Sequence, residues 1–181
     1  MDMFRNFTPF LLLFLTCISV NAQKYTIESS QVSFYSRAAI EDIKAVNSEA
    51  TGLLNSSTYE IAFLISIRKF QFEKSLMQEH FNEKYLESEK YPNAIFKGKI
   101  EGVKNESAEE QAVMAKGSLT IHGVTREVTI PGTLVKNGTK YIAKSKFLIK
   151  LEEYRIKIPQ MMWQNIAEEV EVTVQFIYKP I

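Results

Sequence analysis

Cysteine is almost absent from this chain; the only one is Cys17. It lies in the apolar stretch "PFLLLFLTCISV", which follows Arg5 and runs into "VNA". A weakly positive start, an apolar core of about a dozen residues and a small residue at the expected cut have the form of a secretory signal peptide, too short for a membrane anchor. The expected cut falls between Ala22 and Gln23, so 1–22 read as the signal and 23–181 as a single domain. A competing reading makes Cys17 the lipidated residue of a lipoprotein signal, although Thr16 is a poor residue to precede it. Beyond the signal there is no cysteine, so neither a disulfide nor a thiolate metal site can form there. Exported domains of this size often carry disulfides, whereas this one must rely on its core. That suits a bacterial periplasm better than a eukaryotic secretory route, and a periplasmic or secreted location is expected. Sequons at Asn55, Asn105 and Asn137 fall in expected turns, where asparagine is common anyway.

Other shortages exclude function classes. The formal net charge is only +1 and no basic block occurs, which argues against nucleic acid and anionic membrane surfaces as partners. No second apolar run is long enough to span a bilayer. Histidine occurs only at His80 and His122, far apart and in no metal-ligand spacing. There is no GxSxG elbow and no glycine-rich phosphate loop. The acidic pairs Glu109-Glu110, Glu152-Glu153 and Glu168-Glu169 are sequence neighbours. On a strand, neighbours point to opposite faces, which is wrong for a shared acid–base site. No catalytic residue, metal or cofactor is therefore expected. Two histidines converging with a distant glutamate on zinc, in a small hydrolase, stand as the enzymatic alternative.

What the chain has in abundance is alternation. "QVSFYSRAA" (31–39) sets Val32, Phe34, Ser36 and Ala38 on one face, and "YEIAFLISIRKF" (59–70) does so with Tyr59, Ile61, Phe63, Ile65 and Ile67. "NAIFKGKIEG", "AVMAKGSLTI", "VTREVTIPGTLV", "KYIAKSKFLIKL" and "EEVEVTVQFIYK" continue the period of two. Such segments read as half-buried antiparallel strands. With "KYTIE" (24–28) and "IKAVNSEATGLLN" (43–55), about nine strands are expected, in a barrel or sandwich. One segment differs: "FEKSLMQEHFNEKYLESEKYP" (72–92) spaces Leu76, Met77, His80, Phe81 and Tyr85 as a helix does. Ser75 is its expected cap, and Pro92 ends what precedes it.

The expected inner faces mix bulky residues with Ala94, Gly98, Ala115, Gly117, Ala143 and Ser145. Small residues there either leave room for a ligand or fit the taper of a solid barrel. A cavity, if present, would be apolar and would hold a hydrocarbon chain. His122-Gly123 reads as a two-residue hairpin turn. With Ile121 opposite Val124, Leu119 opposes Arg126, which places Arg126 on the inner face near the tip. Three fates are open to that arginine: solvent, a carboxylate partner, or an anionic ligand head. Met161, Met162 and Trp163 either cap an apolar opening or plug an end of the barrel.

Two stretches carry a resemblance. "MQEHFNEKYLESEKYPNAIFKGKIEG" joins a helical segment to a KYP strand through Lys90, Tyr91, Pro92, Ala94 and Phe96. "GSLTIHGVTREVTIPGTL" follows, with Leu119 to Arg126 and Val128 as an L-T-I-H-G-V-T-R-x-V hairpin. Together they resemble the YceI-like family of bacterial exported proteins. "YTIESSQVSFYSRAAIEDIKAVNSEATG" and "EEVEVTVQFIY" fit as well, so the resemblance spans nearly all of 23–181. "IRKFQFEKSLMQEHF" and the region of "LEEYRIKIPQMMW" depart from the family pattern. The resemblance implies an all-β, antiparallel, lipocalin-like barrel of about eight to nine strands with one short helical insertion. It also implies an interior that binds a polyisoprenoid, an isoprenoid quinone or a fatty-acid-like amphiphile without catalysis. Strand parity nominates Phe34, Phe63, Ile65, Phe96, Leu119, Phe147, Val172 and Phe176 as ligand-lining residues, with Gly117 and Arg126 beside them. A ligand-free barrel acting in interactions or envelope stress is the alternative, and a homodimer is left open.

Overall fold

The computed structural model describes residues 24–37, 42–104, 108–157 and 167–181. The expected signal with Cys17, and also Ala38, Asn105, Met161, Met162 and Trp163, lie outside the described residues.

The alternating segments become ten strands: β1 (Lys24–Ser36), β2 (Ile43–Asn47), β3 (Thr51–Asn55), β4 (Glu60–Ser66), β5 (Gln71–Phe72), β6 (Asn93–Glu101), β7 (Gln111–Ile121), β8 (Val124–Asn137), β9 (Lys140–Lys150) and β10 (Glu169–Pro180). All pairings are antiparallel, in the order β10-β9-β8-β7-β6-β4-β3-β1, and β10 pairs back onto β1 to close an eight-stranded barrel. β2 extends the sheet from the second half of β1, and β5 pairs with β2. Closure pairs the first and last strands of the ring with each other, so neither is left as a sheet edge.

Two readings of the strands need correction. "KYTIE" and "QVSFYS" are one strand, β1, whose register against β10 shifts between Ile27 and Ser29. The extra residue, Glu28, ion-pairs with Lys140 at 2.5 Å. A bulge of this kind switches the parity of the faces, so Tyr25 before it and Val32 after it are both buried. "IKAVNSEATGLLN" is two strands, because Asn47 turns a corner. Its buried side chain accepts from the Glu49 N–H (2.8 Å) and donates to the Ser66 carbonyl (2.8 Å), while the Ala50 N–H donates to Ser30 Oγ (2.9 Å). An asparagine that bonds its own backbone two residues on competes with the ladder and ends it.

The helical segment exists and is short. α1 (Ser75–His80) continues into a π-helical turn over Phe81–Tyr85. Lys74, not Ser75, is the cap residue, and no side chain caps the helix start. The π turn is fixed by the Leu86 N–H donating to the Phe81 carbonyl at 2.9 Å. The wider turn carries both Phe81 and Tyr85 to the barrel side of the segment.

Candidate functional site

The barrel is solid at one end and hollow toward the other. Tyr25, Leu54, Leu134, Tyr141 and Tyr178 are buried at the end where β8 turns into β9. There the Tyr25 and Tyr141 rings meet edge to face, with centroids 4.9 Å apart. Beyond this floor lies a cavity of about 340 Å³. Alternate residues of the strands build its wall: Val32 and Phe34 of β1, Ile61, Phe63 and Ile65 of β4, Phe96 and Ile100 of β6, Leu119 and Ile121 of β7, Phe147 and Ile149 of β9, and Val172 and Phe176 of β10. Ala94, Ala115 and Ala143 stand among them, so the wall is bulky in places and bare in others. Phe63 stacks on Phe96 at 5.2 Å and meets Phe176 edge-on at 5.0 Å.

The helical segment borders the cavity with Met77, His80, Phe81 and Tyr85. Phe81 stacks on Phe34 (5.3 Å), and Phe70 and Phe72 pack their edges on the same ring (5.5 and 5.8 Å). The helical spacing of Met77, His80, Phe81 and Tyr85 already carried this signal. The spacing shows an apolar stripe but not what the stripe faces. Phe70 and Phe72 gave less warning, since a 3₁₀ turn at Ile67–Lys69 interrupts the alternation before them.

Ionisable groups on the wall are few: His80, Tyr85, Lys144 and Tyr178. Burial pushes the Tyr178 phenol well above the ordinary tyrosine range and raises Tyr85 in the same direction. Both remain neutral hydroxyls at physiological pH. Lys144 is held outside the barrel beside Glu110 at 3.5 Å. A 2.6 Å hydrogen bond from the Thr133 hydroxyl, and then the Lys144 charge, hold the Glu110 carboxyl below its usual range.

The nominated residues fall into two groups. Phe34, Phe63, Ile65, Phe96, Leu119, Phe147, Val172 and Phe176 line the cavity. Gly117 and Arg126 do not. Gly117 faces Gly98 across the β6–β7 ladder, and a Cβ there would lie 2.2 Å from the Lys97 carbonyl oxygen. It permits close strand contact rather than shaping a pocket wall. Arg126 does oppose Leu119, as the register predicts, but its half-exposed guanidinium pairs with Glu153 at 3.3 Å. Of the three open fates, a carboxylate partner is the observed one.

His122 turns the corner and also clamps it. His122 and Gly123 have φ of 50° and 72°, the positive pair of a tight hairpin turn. The ring Nδ1–H donates to the Tyr154 carbonyl (3.1 Å), and Nε2 lies 2.9 Å from Glu87 Oε2. Tyr91 packs edge-on at 4.5 Å. His122 thereby ties the segment after α1 and the turn after β9 to the hairpin tip. Among the described residues, no three His, Cys, Asp or Glu side chains gather as a metal site, and no helix is long and apolar enough to cross a membrane.

No curated protein matches this chain in sequence. Among solved structures, a polyisoprenoid binding domain from Saccharophagus degradans superposes with a TM-score of 0.75 at 16% identity, covering 87% of this chain and 98% of that one. BcnA of Burkholderia cenocepacia gives 0.69 at 18% identity, over 82% and 95% of the two chains. The YceI protein of Campylobacter jejuni gives 0.56 at 13% identity, over 100% and 93%. At these identities the likeness is one of fold. The YceI-like domain model matches residues 24–178, so the chain belongs to the YceI-like family.

Proposed function

We propose that this protein is an exported, non-catalytic carrier or reservoir for a lipid with an apolar chain: a polyisoprenoid, an isoprenoid quinone or a fatty-acid-like amphiphile. The observation that carries this reading is the cavity of about 340 Å³ inside a closed barrel, walled by Phe, Ile, Leu, Val and Ala with few polar groups. Apolar cavities hold water poorly and accept hydrocarbon. Each buried methylene contributes about 0.8 kcal/mol, so roughly ten of them supply about 8 kcal/mol, a micromolar affinity before the costs of ordering the chain. The ligand class of the S. degradans relative supports the same reading. Export rests on the signal-like segment that ends at Ala22.

The test is a titration of solvent-stripped, refolded protein with cis-parinaric acid, whose fluorescence rises on leaving water. Polyprenol, ubiquinone and palmitate are then added as competitors. Saturable uptake at one site is expected, and the rank order of competitors identifies the class. Absence of saturable uptake of the probe and of all three competitors would overturn the reading.

A further inference from the structure

The barrel wall has an open seam between β8 and β9. The β8–β9 ladder begins at Asn137↔Lys140, beside their hairpin, and ends at Gly132↔Ser145. Beyond that rung, β8 runs on through 131–124 while paired only to β7, and β9 runs on through 146–150 while paired only to β10. The two strands therefore part, leaving a slit about 16 Å long at the usual rise per residue. Pro131 sits where they part; it has no N–H to offer the next rung. In place of that rung, the Ser145 hydroxyl donates to the Pro131 carbonyl at 2.6 Å. At its other end the slit is pinned by Arg126 of β8 on Glu153, in the turn after β9, and by His122 on the Tyr154 carbonyl.

The cavity reaches this slit. Its wall includes Ile130 on the unpaired stretch of β8, Phe147 and Ile149 on the unpaired stretch of β9, and Pro131 where the two strands part. The inner sides of both lips therefore border the cavity. The outward residues of the lips are mostly polar, such as Thr129 and Lys146, but two large apolar side chains stand exposed among and beside them. Leu148 is 61% exposed on β9, and Met114, 38% exposed, stands beside Pro131 on the β8 side.

We propose that the slit between β8 and β9 is the portal through which the apolar chain enters and leaves the barrel. This rests on the reading of the cavity as a lipid site. The chain slides sideways past Leu148 and Met114 into the space between Ile130 and Phe147. The helical segment at the barrel end does not need to unfold. Arg126–Glu153 limits how far the lips part.

The experiment staples the slit. Thr129 and Leu148 would be opposite each other if the ladder continued, and residues 23–181 contain no cysteine. Thr129→Cys with Leu148→Cys, joined by a short bismaleimide, closes the seam. Lys97→Cys with Ser118→Cys, joined in the same way, staples a seam that is already paired and serves as control. Stopped-flow uptake and release of cis-parinaric acid are followed in each. The slit staple is expected to slow both rates by about tenfold or more, with the equilibrium Kd unchanged, as for binding that must await an opening. Glu153→Gln, which removes the pin without touching the cavity, is expected to speed both rates by about two- to fivefold. Rates that match the control in the stapled protein and the wild type in Glu153→Gln would overturn the portal. Failure of the unlinked wild type to take up the probe would instead overturn the lipid-site reading, and the portal with it.

Discussion

Ala115 offers a direct way to fill the cavity. It lies on β7 between Ile100 of β6 and Ile130 of β8, and all three line the cavity. Replacing it by phenylalanine adds a ring of roughly six carbons, which takes the room of about six methylenes of a bound chain. At about 0.8 kcal/mol each, the loss is about 5 kcal/mol of ligand burial, or more than a thousandfold in Kd. The ring enters empty space, so the cost to the fold is expected below about 3 kcal/mol, the usual ceiling for overpacking. Probe titration gives Kd, and urea unfolding shows whether the barrel stands. A folded Ala115→Phe protein that binds the probe as the wild type does would refute the placement of the ligand between β6, β7 and β8. Gly117, one pleat along on the same face, cannot serve this purpose. Any side chain there meets the Lys97 carbonyl oxygen at 2.2 Å, so a loss of binding would report a damaged ladder.

Two further outcomes concern stability. His122→Ala removes the contacts to Tyr154 and Glu87 and leaves alanine at positive φ; about 2–4 kcal/mol of destabilisation is expected by urea titration, with His122→Asn recovering part of it through its tolerance of that backbone region. Tyr178 has its folded-state pKa raised by burial, so its contribution is complete below the unfolded value of 10.0 and is lost as pH rises above it; the unfolding free energy from urea titration should fall by about 1.4 kcal/mol per pH unit beyond that value, and Tyr178→Phe should flatten this slope.

The alternating segments were legible because half-buried strands repeat every two residues, and a barrel with one wet face enforces that period along its length. The Ile121–Val124 turn followed from the same logic, since a two-residue turn with glycine second fixes the register on both sides. The failures have local causes. Asn47 looked like any polar strand residue, yet its amide groups bond the backbone and bend the chain. Gly117 shares its parity with true wall residues, and parity says nothing of how closely two strands approach. Arg126 had the right face but a long, flexible stem, which carried its charge out to Glu153. The β8–β9 slit was hidden altogether. The sequence shows two continuous strands there, and only pairing in space reveals that the ladder stops at Gly132 and Ser145.

Native mass spectrometry of protein purified without added lipid bears most directly on the central claim that the barrel holds a lipid. The expected spectrum shows the chain plus a species of isoprenoid or long-acyl mass, which organic extraction releases. A bare chain mass that stays unchanged after quinones and polyprenols are added would contradict it and leave the barrel as a ligand-free interaction module.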